Sequence, residues 1–408
     1  MANYPYNRYT IYNMTHKSLF ILGRQPAIGR AELESLYGAD HLEPIGDSAV
    51  ACDLSVDAID FARLGSSMRV ARPLDDLPTT NWPQVAKRVM KAFPELLDEL
   101  PLDGKLKLGI STFGLPVTAN DLLRTGLMLK KICKANNRSV RVVPNTEPAL
   151  NTAQVLHNQL TGDMGIELLF IEHGGKTYIA QTAAIQDIDA YAKRDQGRPK
   201  RDARVGMLPP KLAQTIVNLG VGKLEPAIKH VVLDPFCGTG VVLQEALLMG
   251  YGAYGTDLEP RMIDYSRQNL EWLATYGVES DVQLEAGDAT DHHWEHPFAA
   301  VACETYLGRP LNSLPNPEVL REIKGTCNVI IEKFMRNLTG QIPAGTRLCL
   351  AVPAWVGANG RIHHLSALDH LEVLGYNRVS FEHANTEELV YYRTDQTVAR
   401  ELVVLIRK

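Results

Sequence analysis

Residues 231–269 read VVLDPFCGTGVVLQEALLMGYGAYGTDLEPRMIDYSRQN, and this stretch decides the fold. An apolar run ends in Asp234-Pro235-Phe236, and Cys237-Gly238-Thr239-Gly240 follows as a tight turn. Val242, Leu243, Ala246 and Leu247 then recur at helical spacing and stop at Gly250. A second short strand ends at Asp257. Strand, glycine turn, helix, strand and acid in this order describe the nucleoside pocket of a Rossmann-like sheet. The turn glycines lack Cβ, so the backbone can bend sharply and a ligand can approach it. Asp257, at a strand tip, is placed to accept both hydroxyls of a ribose.

The details favour S-adenosylmethionine (SAM) over a dinucleotide. A pyrophosphate cofactor wants three glycines, so that its anion sits on a helix N-terminus. Here the third glycine position holds Leu243, and Asp234 stands just before the turn. A carboxylate there repels a pyrophosphate but pairs with the ammonium of a methionine moiety. Further along, the third strand of the expected sheet, VQLEAGDAT, ends in Asp288-Ala289. That Asp can accept from an adenine amino group while a backbone N–H donates to a ring nitrogen; its plainer reading is a turn acid. The cofactor set read from the sequence is thus Asp234, Cys237, Gly238, Thr239, Gly240, Asp257, Leu258, Asp288 and Ala289.

The fourth strand, AAVACETYLGRP, ends in Glu304-Thr305-Tyr306-Leu307-Gly308. In an amino methyltransferase this tip faces the transferred methyl. A base's exocyclic amine is a poor nucleophile because its lone pair is delocalised into the ring. Two acceptors that bind its hydrogens localise that pair, and an aromatic ring stacks on the extruded base. Glu304 is read as the side-chain acceptor, the Thr305 carbonyl as the second, and Tyr306 as the stacking ring. The alternative is an acid beside the cofactor in a site with other chemistry, or none.

The chain of 408 residues is long enough for two or three domains with real cores. Its 45% hydrophobic and 22% charged residues are ordinary for a globular protein. No apolar run approaches membrane-spanning length, and no signal core stands at the N-terminus, so a cytoplasmic protein is expected. Six cysteines without a C-x-x-C pair read as reduced core thiols rather than a disulfide or zinc framework. The cluster Asp291-His292-His293-Trp294-Glu295-His296 has neither cysteine partners nor helical context, so no metal is expected.

The pattern divides as a tail over 1–17 that could be mobile, a small α/β segment over 18–60 and a second α/β unit over 61–190. The second carries helices over 82–97 and 120–135, strands over 107–112 and 140–143, and a helical segment over 153–160. It closes on the hairpin IELLFIEHGGKTYIAQTAAI, with glycines at its turn. Residues 191–211 hold seven Lys/Arg against two Asp with three Pro, the composition of a basic linker. From 212 to 408 strands and helices alternate as in a doubly wound sheet, with an antiparallel hairpin at the end. That hairpin is typical of class I methyltransferases.

The net charge of −5 does not point to nucleic acid, but its distribution does. Residues 121–145 carry six basic side chains (Arg124, Lys130, Lys131, Lys134, Arg138, Arg141) against one acid. The linker adds Lys193, Arg194, Lys200 and Arg201. Cations that neutralise phosphates release counterions and hold RNA without reading its sequence. Such faces are as often merely solvated.

With these motifs in view, the chain resembles the THUMP-domain tRNA methyltransferases, and within them the enzymes that methylate guanine-N2 at tRNA position 10. SLFILGRQPAIGRAELESL is similar to that family's N-terminal ferredoxin-like segment, and YIAQTAAIQDI to the close of a THUMP domain. AYAKRDQGRPKRDARVGMLPPKLAQTIVNL is similar to its linker and entry helix, and DPFCGTG with GTDLEPRM and GDAT to its cofactor pocket. The resemblance implies a ferredoxin-like and THUMP module followed by a Rossmann-like methyltransferase domain with a seven-stranded sheet ending in an antiparallel hairpin. It implies that Asp234, Gly238, Gly240, Asp257 and Asp288 bind SAM and that the upstream module grips tRNA. The family carries Asp-Pro-Pro-Tyr-Gly at the fourth strand tip, where this chain has Glu304 to Gly308 without either proline.

Three functions stay open on sequence alone: a SAM-dependent tRNA methyltransferase acting on a nucleobase amine, a non-catalytic SAM- and RNA-binding chaperone on the same scaffold, and a DNA amino-methyltransferase. Whether a small activating subunit is required is equally open.

Overall fold

A computed structural model describes residues 16–98, 100–101, 104–202, 208–227, 229–278, 282–311, 313–357, 361–393 and 396–408. The expected tail over 1–17 therefore lies almost wholly outside the described residues, as do residues 203–207 of the expected linker. Contacts divide the chain into two units. The second takes Ala27–Ala39, Arg63–Ser66 and Asp189–Lys408; the first takes the remainder up to Ile188.

The first unit is built on one eight-stranded sheet. Its strands are β1 (Ser18–Leu22), β2 (Leu42–Ile45), β3 (Ala49–Cys52), β4 (Ser67–Leu77), β5 (Leu106–Phe113), β6 (Val140–Val142), β7 (Gly165–His173) and β8 (Lys176–Ile185). They run in the order β2-β3-β1-β4-β8-β7-β5-β6, so the boundary expected near residue 60 does not interrupt the sheet. Strand β4 joins the two expected segments and was not anticipated. Its sequence SMRVARPLDDL lacks clean alternation because Arg69 is buried, with its guanidinium on the carboxylate of Glu167 in β7 at 2.7 Å. Ser111 and Thr182 hydroxyls donate to the same carboxylate at 2.6 Å each. The β7–β8 hairpin turns through Gly174 and Gly175, both at positive φ, as a two-residue loop matching the strand twist requires.

Helix α1 (Pro26–Tyr37) contributes to the second unit, whereas α2 (Trp82–Asp98), α3 (Ala119–Ala135) and α4 (Thr152–His157) belong to the first. The N-terminus of α3 is fixed by a reciprocal cap between Thr118 and Asp121. The basic stretch expected as a linker begins as a helix, α5 (Ile188–Gln196), and α6 (Pro210–Val221) follows with a proline at its first turn.

The second unit's strands are β9 (Val231–Asp234), β10 (Gly252–Asp257), β11 (Val282–Ala286), β12 (Ala300–Glu304), β13 (Arg347–Val356), β14 (Ile362–His363), β15 (Tyr376–Arg378), β16 (Val390–Tyr391) and β17 (Val398–Arg407). Seven form the path β11-β10-β9-β12-β13-β17-β15, with β14 on β13 and β16 on β17. The first five are parallel, and β17 enters antiparallel between β13 and β15. This is the Rossmann-like sheet with an antiparallel C-terminal hairpin. The helices are α7 (Val241–Leu248), α8 (Pro260–Trp272) and α9 (Pro317–Thr339). One apolar cluster joins α9 (Ile331, Phe334, Leu338) to Leu350 and Val403, and another joins α1 and α6 to Val232 and Ala351. Among the described residues no helix is long and apolar enough to cross a membrane.

Glu32 of α1 is fully buried, and burial pushes its carboxyl above the usual range. It accepts from Asn218 Nδ2 (2.8 Å), Gly65 N (2.9 Å) and Ser66 N (2.8 Å). Glu32→Ala removes the buried carboxylate that these three donors share, although Asn218 Nδ2 keeps the Arg63 carbonyl at 2.7 Å. The expected loss is roughly 2–4 kcal/mol, read as a lower urea midpoint; Glu32→Ala and Asn218→Ala should be strongly non-additive.

Candidate active site

Because β9 to β12 are parallel neighbours, their carboxyl ends arrive side by side, and the loops beyond them enclose one cavity. Its volume is about 670 Å³, within the range of small-molecule sites. Its wall includes Asp234, Asp257, Asp288 and Glu304, one acid from each of the four strand ends.

The glycine turn is built from backbone bonds. Cys237 N donates to Thr256 O, Gly240 N to Cys237 O, and Gly238 and Gly240 take φ of 52° and 82°. A Cβ on Gly240 would stand 2.9 Å from Ser266 Oγ, so the position needs glycine for space as well as conformation. Helix α8 buttresses the turn from outside. Ser266 Oγ donates to Gly238 O at 2.8 Å, and Asn269 Nδ2 to Thr239 O at 2.8 Å and to Lys200 O at 2.9 Å. Ser266 and Asn269 carried no signal in the sequence beyond sitting one helical turn apart in α8.

Asp257 bridges two loops, with Oδ2 accepting from Gly238 N (2.8 Å) and Oδ1 from Glu259 N (3.0 Å). Burial nevertheless pushes its carboxyl up. Asp234 is 2% exposed and accepts from Phe236 N at 3.1 Å. Burial first, then the charges of Asp257 and Glu304, hold its carboxyl well above the usual carboxylate range. The wall carries five acids, Asp234, Asp257, Glu259, Asp288 and Glu304, against Arg261 and Arg309, and a cationic ligand suits it.

Leu258 is 64% exposed at the tip of β10, an apolar surface on the cavity wall. Asp288 is both a turn acid and a wall residue. Its Oδ1 accepts from Thr290 N at 2.9 Å, and Ala289 beside it is buried. Thr239 lines the wall. Cys237 reaches it too, but its thiol lies among Leu243, Ala253 and Ile263, and burial pushes it well above the usual thiol range. It is a neutral packing group, not a nucleophile.

At the fourth tip, Thr305 is buried, its N–H donating to Ala351 O at 3.0 Å and its hydroxyl to the same oxygen at 3.4 Å. Tyr306 is 42% exposed and lines the cavity. Glu304 Oε1 accepts from Arg400 Nε of β17 at 2.8 Å, a partner 96 residues away that sequence spacing could not reveal.

The basic candidates separate. On α3, Lys131 and Lys134 are exposed, Lys130 is half-buried and Arg124 is exposed with an ion pair to Asp121 at 3.6 Å. Arg138 is buried, donating to the carbonyls of Leu97, Leu100 and Pro101. Lys193, Lys200 and Arg201 reach the surface of the second unit, the first two over the rings of Tyr276 and Tyr265. Arg194 differs from expectation. Its Nε and Nη2 grip the buried carboxylate of Glu245 in α7 at 3.0 and 3.2 Å, so it anchors the linker helix rather than a ligand. His292 and His296 of the histidine cluster both meet Glu285, at 3.1 and 3.4 Å.

Residues 198–320 match the family model described as UPF0020, RMKL-like, methyltransferase domain. The tRNA (guanine(10)-N2)-dimethyltransferase of Methanothermobacter thermautotrophicus is 29% identical over 151 residues, 37% of this chain and 40% of that protein. Its namesake in Pyrococcus abyssi is 39% identical over 104 residues, 25% of this chain and 29% of that protein. The aligned segments thus span less than half the length of these relatives. Among solved structures, TrmN from Thermus thermophilus superposes with a TM-score of 0.52 at 17% identity, covering 96% of this chain and 99% of that one. SMU.472 complexed with SAH superposes with a TM-score of 0.50 at 12% identity, over 97% and 98%. At such identities the likeness establishes the fold, and the second unit has that of a class I methyltransferase.

Asp234 keeps its proton in the folded chain to a higher pH than in the unfolded one. Ligand-free stability should therefore fall as pH rises from about 4 through the raised value, because only the unfolded state releases the proton freely. Asp234→Asn removes that penalty. Its Tm without ligand should exceed the unsubstituted protein's at pH 7.5, and the gap should close at pH 4 by calorimetry.

Proposed function

We propose that this chain is a SAM-dependent RNA methyltransferase that transfers a methyl to an exocyclic nucleobase amine of tRNA, with guanine-N2 as the favoured acceptor. The observation that carries the reading is the cavity at four parallel strand tips, walled by one acid from each. The relatives named as tRNA (guanine(10)-N2)-dimethyltransferases, and the SAH held by SMU.472, support it from outside the chain.

The residues fit the cofactor by charge. SAM, when bound, supplies a methyl on an electron-poor sulfonium. Asp234, buried and short of partners, would pair with the ammonium. Asp257 would accept the ribose hydroxyls, Leu258 would lie against the adenine, and Asp288 with Ala289 would meet its amino edge. Glu304 and the Thr305 carbonyl would bind the two hydrogens of the acceptor amine, and Tyr306 would stack on the base. The bound cofactor would supply the methyl to the amine nitrogen, leaving with the electrons of its sulfur–carbon bond, and Glu304 with the Thr305 carbonyl would hold the amine whose proton is then released to solvent. Positioning carries most of the rate.

The exposed cations of α3 and Lys193, Lys200 and Arg201 would hold the RNA backbone. The first unit, THUMP-like by its sequence, would then serve as the tRNA-gripping module, working in the cytoplasm. One observation favours a non-catalytic SAM- and RNA-binding protein instead: the family's Asp-Pro-Pro-Tyr-Gly is absent, and one oxygen of Glu304 is already bonded to Arg400.

Labelled methyl transfer from SAM to tRNA decides between them. The enzyme reading expects incorporation at guanine-N2, lost by about a hundredfold or more in Glu304→Ala, with tRNA preferred over duplex DNA. No label on tRNA from protein that binds SAM would leave the non-catalytic reading. SAM affinity should tighten as pH rises through the titration of Asp234, and Asp234→Asn should remove both the affinity and its pH dependence.

RNA binding separates the cations. Lys131→Ala with Lys134→Ala should lower the slope of log affinity against log salt by about one per lost phosphate contact without changing Tm. Arg194→Ala should instead lower Tm, since it strands the buried Glu245.

A further inference from the structure

Arg400 stands near the start of β17, two strands from Glu304, with β13 between them. Register pairs Glu304 with Ala351 on one side of β13, and Ala351 with Leu402 and Pro353 with Arg400 on the other. Residues two apart on a strand share a face, so Glu304, Ala351, Pro353 and Arg400 all point to one side of the sheet. Ala351 and Pro353 are small and carry no polar side-chain atom, which opens a path for the arginine arm across β13. The next residue, Glu401, points the opposite way, where Arg378 Nη2 at 2.8 Å and His364 Nδ1 meet its carboxylate. The alternation of β17 thus commits Arg400 to the sheet face that carries Glu304.

The contact is a built one. Arg400 Nε donates to Glu304 Oε1 at 2.8 Å, and its Nη1 to Gln396 Oε1 at 3.2 Å. The two charged side chains are 6% and 14% exposed. A pair at that depth is weakly screened and geometrically defined. Two consequences follow. Tethering Oε1 fixes the carboxylate plane and so which edge it presents to the cavity. The added positive charge compensates Glu304, one of five acids on a wall that also holds Asp234, Asp257, Glu259 and Asp288, with Arg261 and Arg309 at its loops.

We propose that Arg400 is the positioning residue of this site: its guanidinium orients Glu304 towards the acceptor amine and sets the net charge beneath the methyl-donating sulfur. The assignment rests on the function proposed above, and it deepens it. Glu is one methylene longer than the Asp of the related motif, and both prolines that would stiffen the turn are missing. Arg400 supplies from across the sheet the restraint that the local sequence no longer does.

The test compares affinities for SAM, whose sulfur is cationic, and S-adenosylhomocysteine (SAH), whose sulfur is neutral. Calorimetry at pH 8 on the full chain would use the unsubstituted protein, R400Q, R400K, E304Q and the double variant E304Q/R400Q. R400Q leaves a bare carboxylate and should raise the preference for SAM over SAH several-fold. E304Q leaves a bare guanidinium and should lower it several-fold. The double variant carries neither charge and should return to within about twofold of the unsubstituted ratio, since compensated charges cancel. R400K keeps the charge and should also keep the ratio. With tRNA, R400Q should lower kcat by about tenfold or more while KM for tRNA holds, and R400K should recover part of that loss.

An R400Q ratio equal to the unsubstituted one, or an unchanged kcat, overturns the proposal. If R400Q folds poorly, the ratios of E304Q and the double variant decide the charge pairing alone, and equal ratios in those two overturn it. The function it rests on fails differently. A protein that binds neither nucleoside removes the cofactor reading and this assignment together, whereas one that binds both but labels no tRNA removes only the acceptor.

Discussion

The burial of Asp234 is the constraint around which the second unit is organised. Its carboxyl group lies at the end of a central strand, 2% exposed, with Asp257 and Glu304 adding like charge and the Phe236 N–H donating to it. A folded chain has no reason of its own to keep an acid there, since a buried carboxylate without a counter-charge costs stability. The surrounding structure tolerates it because the parallel sheet fixes where strand ends fall and the glycine turn stays on its backbone bonds. In a concave site walled by further acids, such a group suits a ligand whose positive charge would complete the electrostatics.

Much of this was legible in the sequence, for physical reasons. The strand, glycine turn, helix and acid of residues 231–269 read correctly because every element is local. A glycine at positive φ, an apolar helix stripe and an acid at a strand tip need no distant partner to be recognised. The hairpin through Gly174 and Gly175 was legible for the same reason. Strand β4 was not. Its alternation is broken by Arg69, which is buried only because Glu167 waits in β7 nearly a hundred residues later. The partnership of Glu304 with Arg400 was hidden in the same way. Spacing along a chain says nothing of pairs that a sheet creates across three strands.

The basic stretches show a related limit. Counting charge treats arginine and lysine as equal, yet the fold sorts them. Arg138 holds three carbonyls, Arg194 clamps Glu245, Arg198 is buried beside Asp195 and Arg69 serves Glu167. Lys131, Lys134 and Lys193 stay exposed. A planar guanidinium with five donors can satisfy several oxygens at once in a dry site, whereas an ammonium on a flexible stem is better left in water. What remains for a polyanion is a smaller surface than the sequence suggested, with Arg124, Arg141 and Arg201 exposed beside those lysines, so an RNA reading should rest on these side chains and not on the total.

The divergent fourth tip can be understood as a turn stiffened by other means. Without a proline between Glu304 and Gly308, this chain anchors Thr305 by two bonds to Ala351 O and puts Gly308 at φ 84°. A Cβ on Gly308 would stand 2.8 Å from Ile323 Cγ2, so the loop packs closely on α9 at that point. The backbone is held at both ends of the five-residue tip, and Arg400 holds the side chain that begins it. Between these anchors only Tyr306 projects well into solvent at the cavity wall. An exposed aromatic ring beside a tethered carboxylate is the arrangement the proposed reaction would use to admit a flat base and then fix its amine.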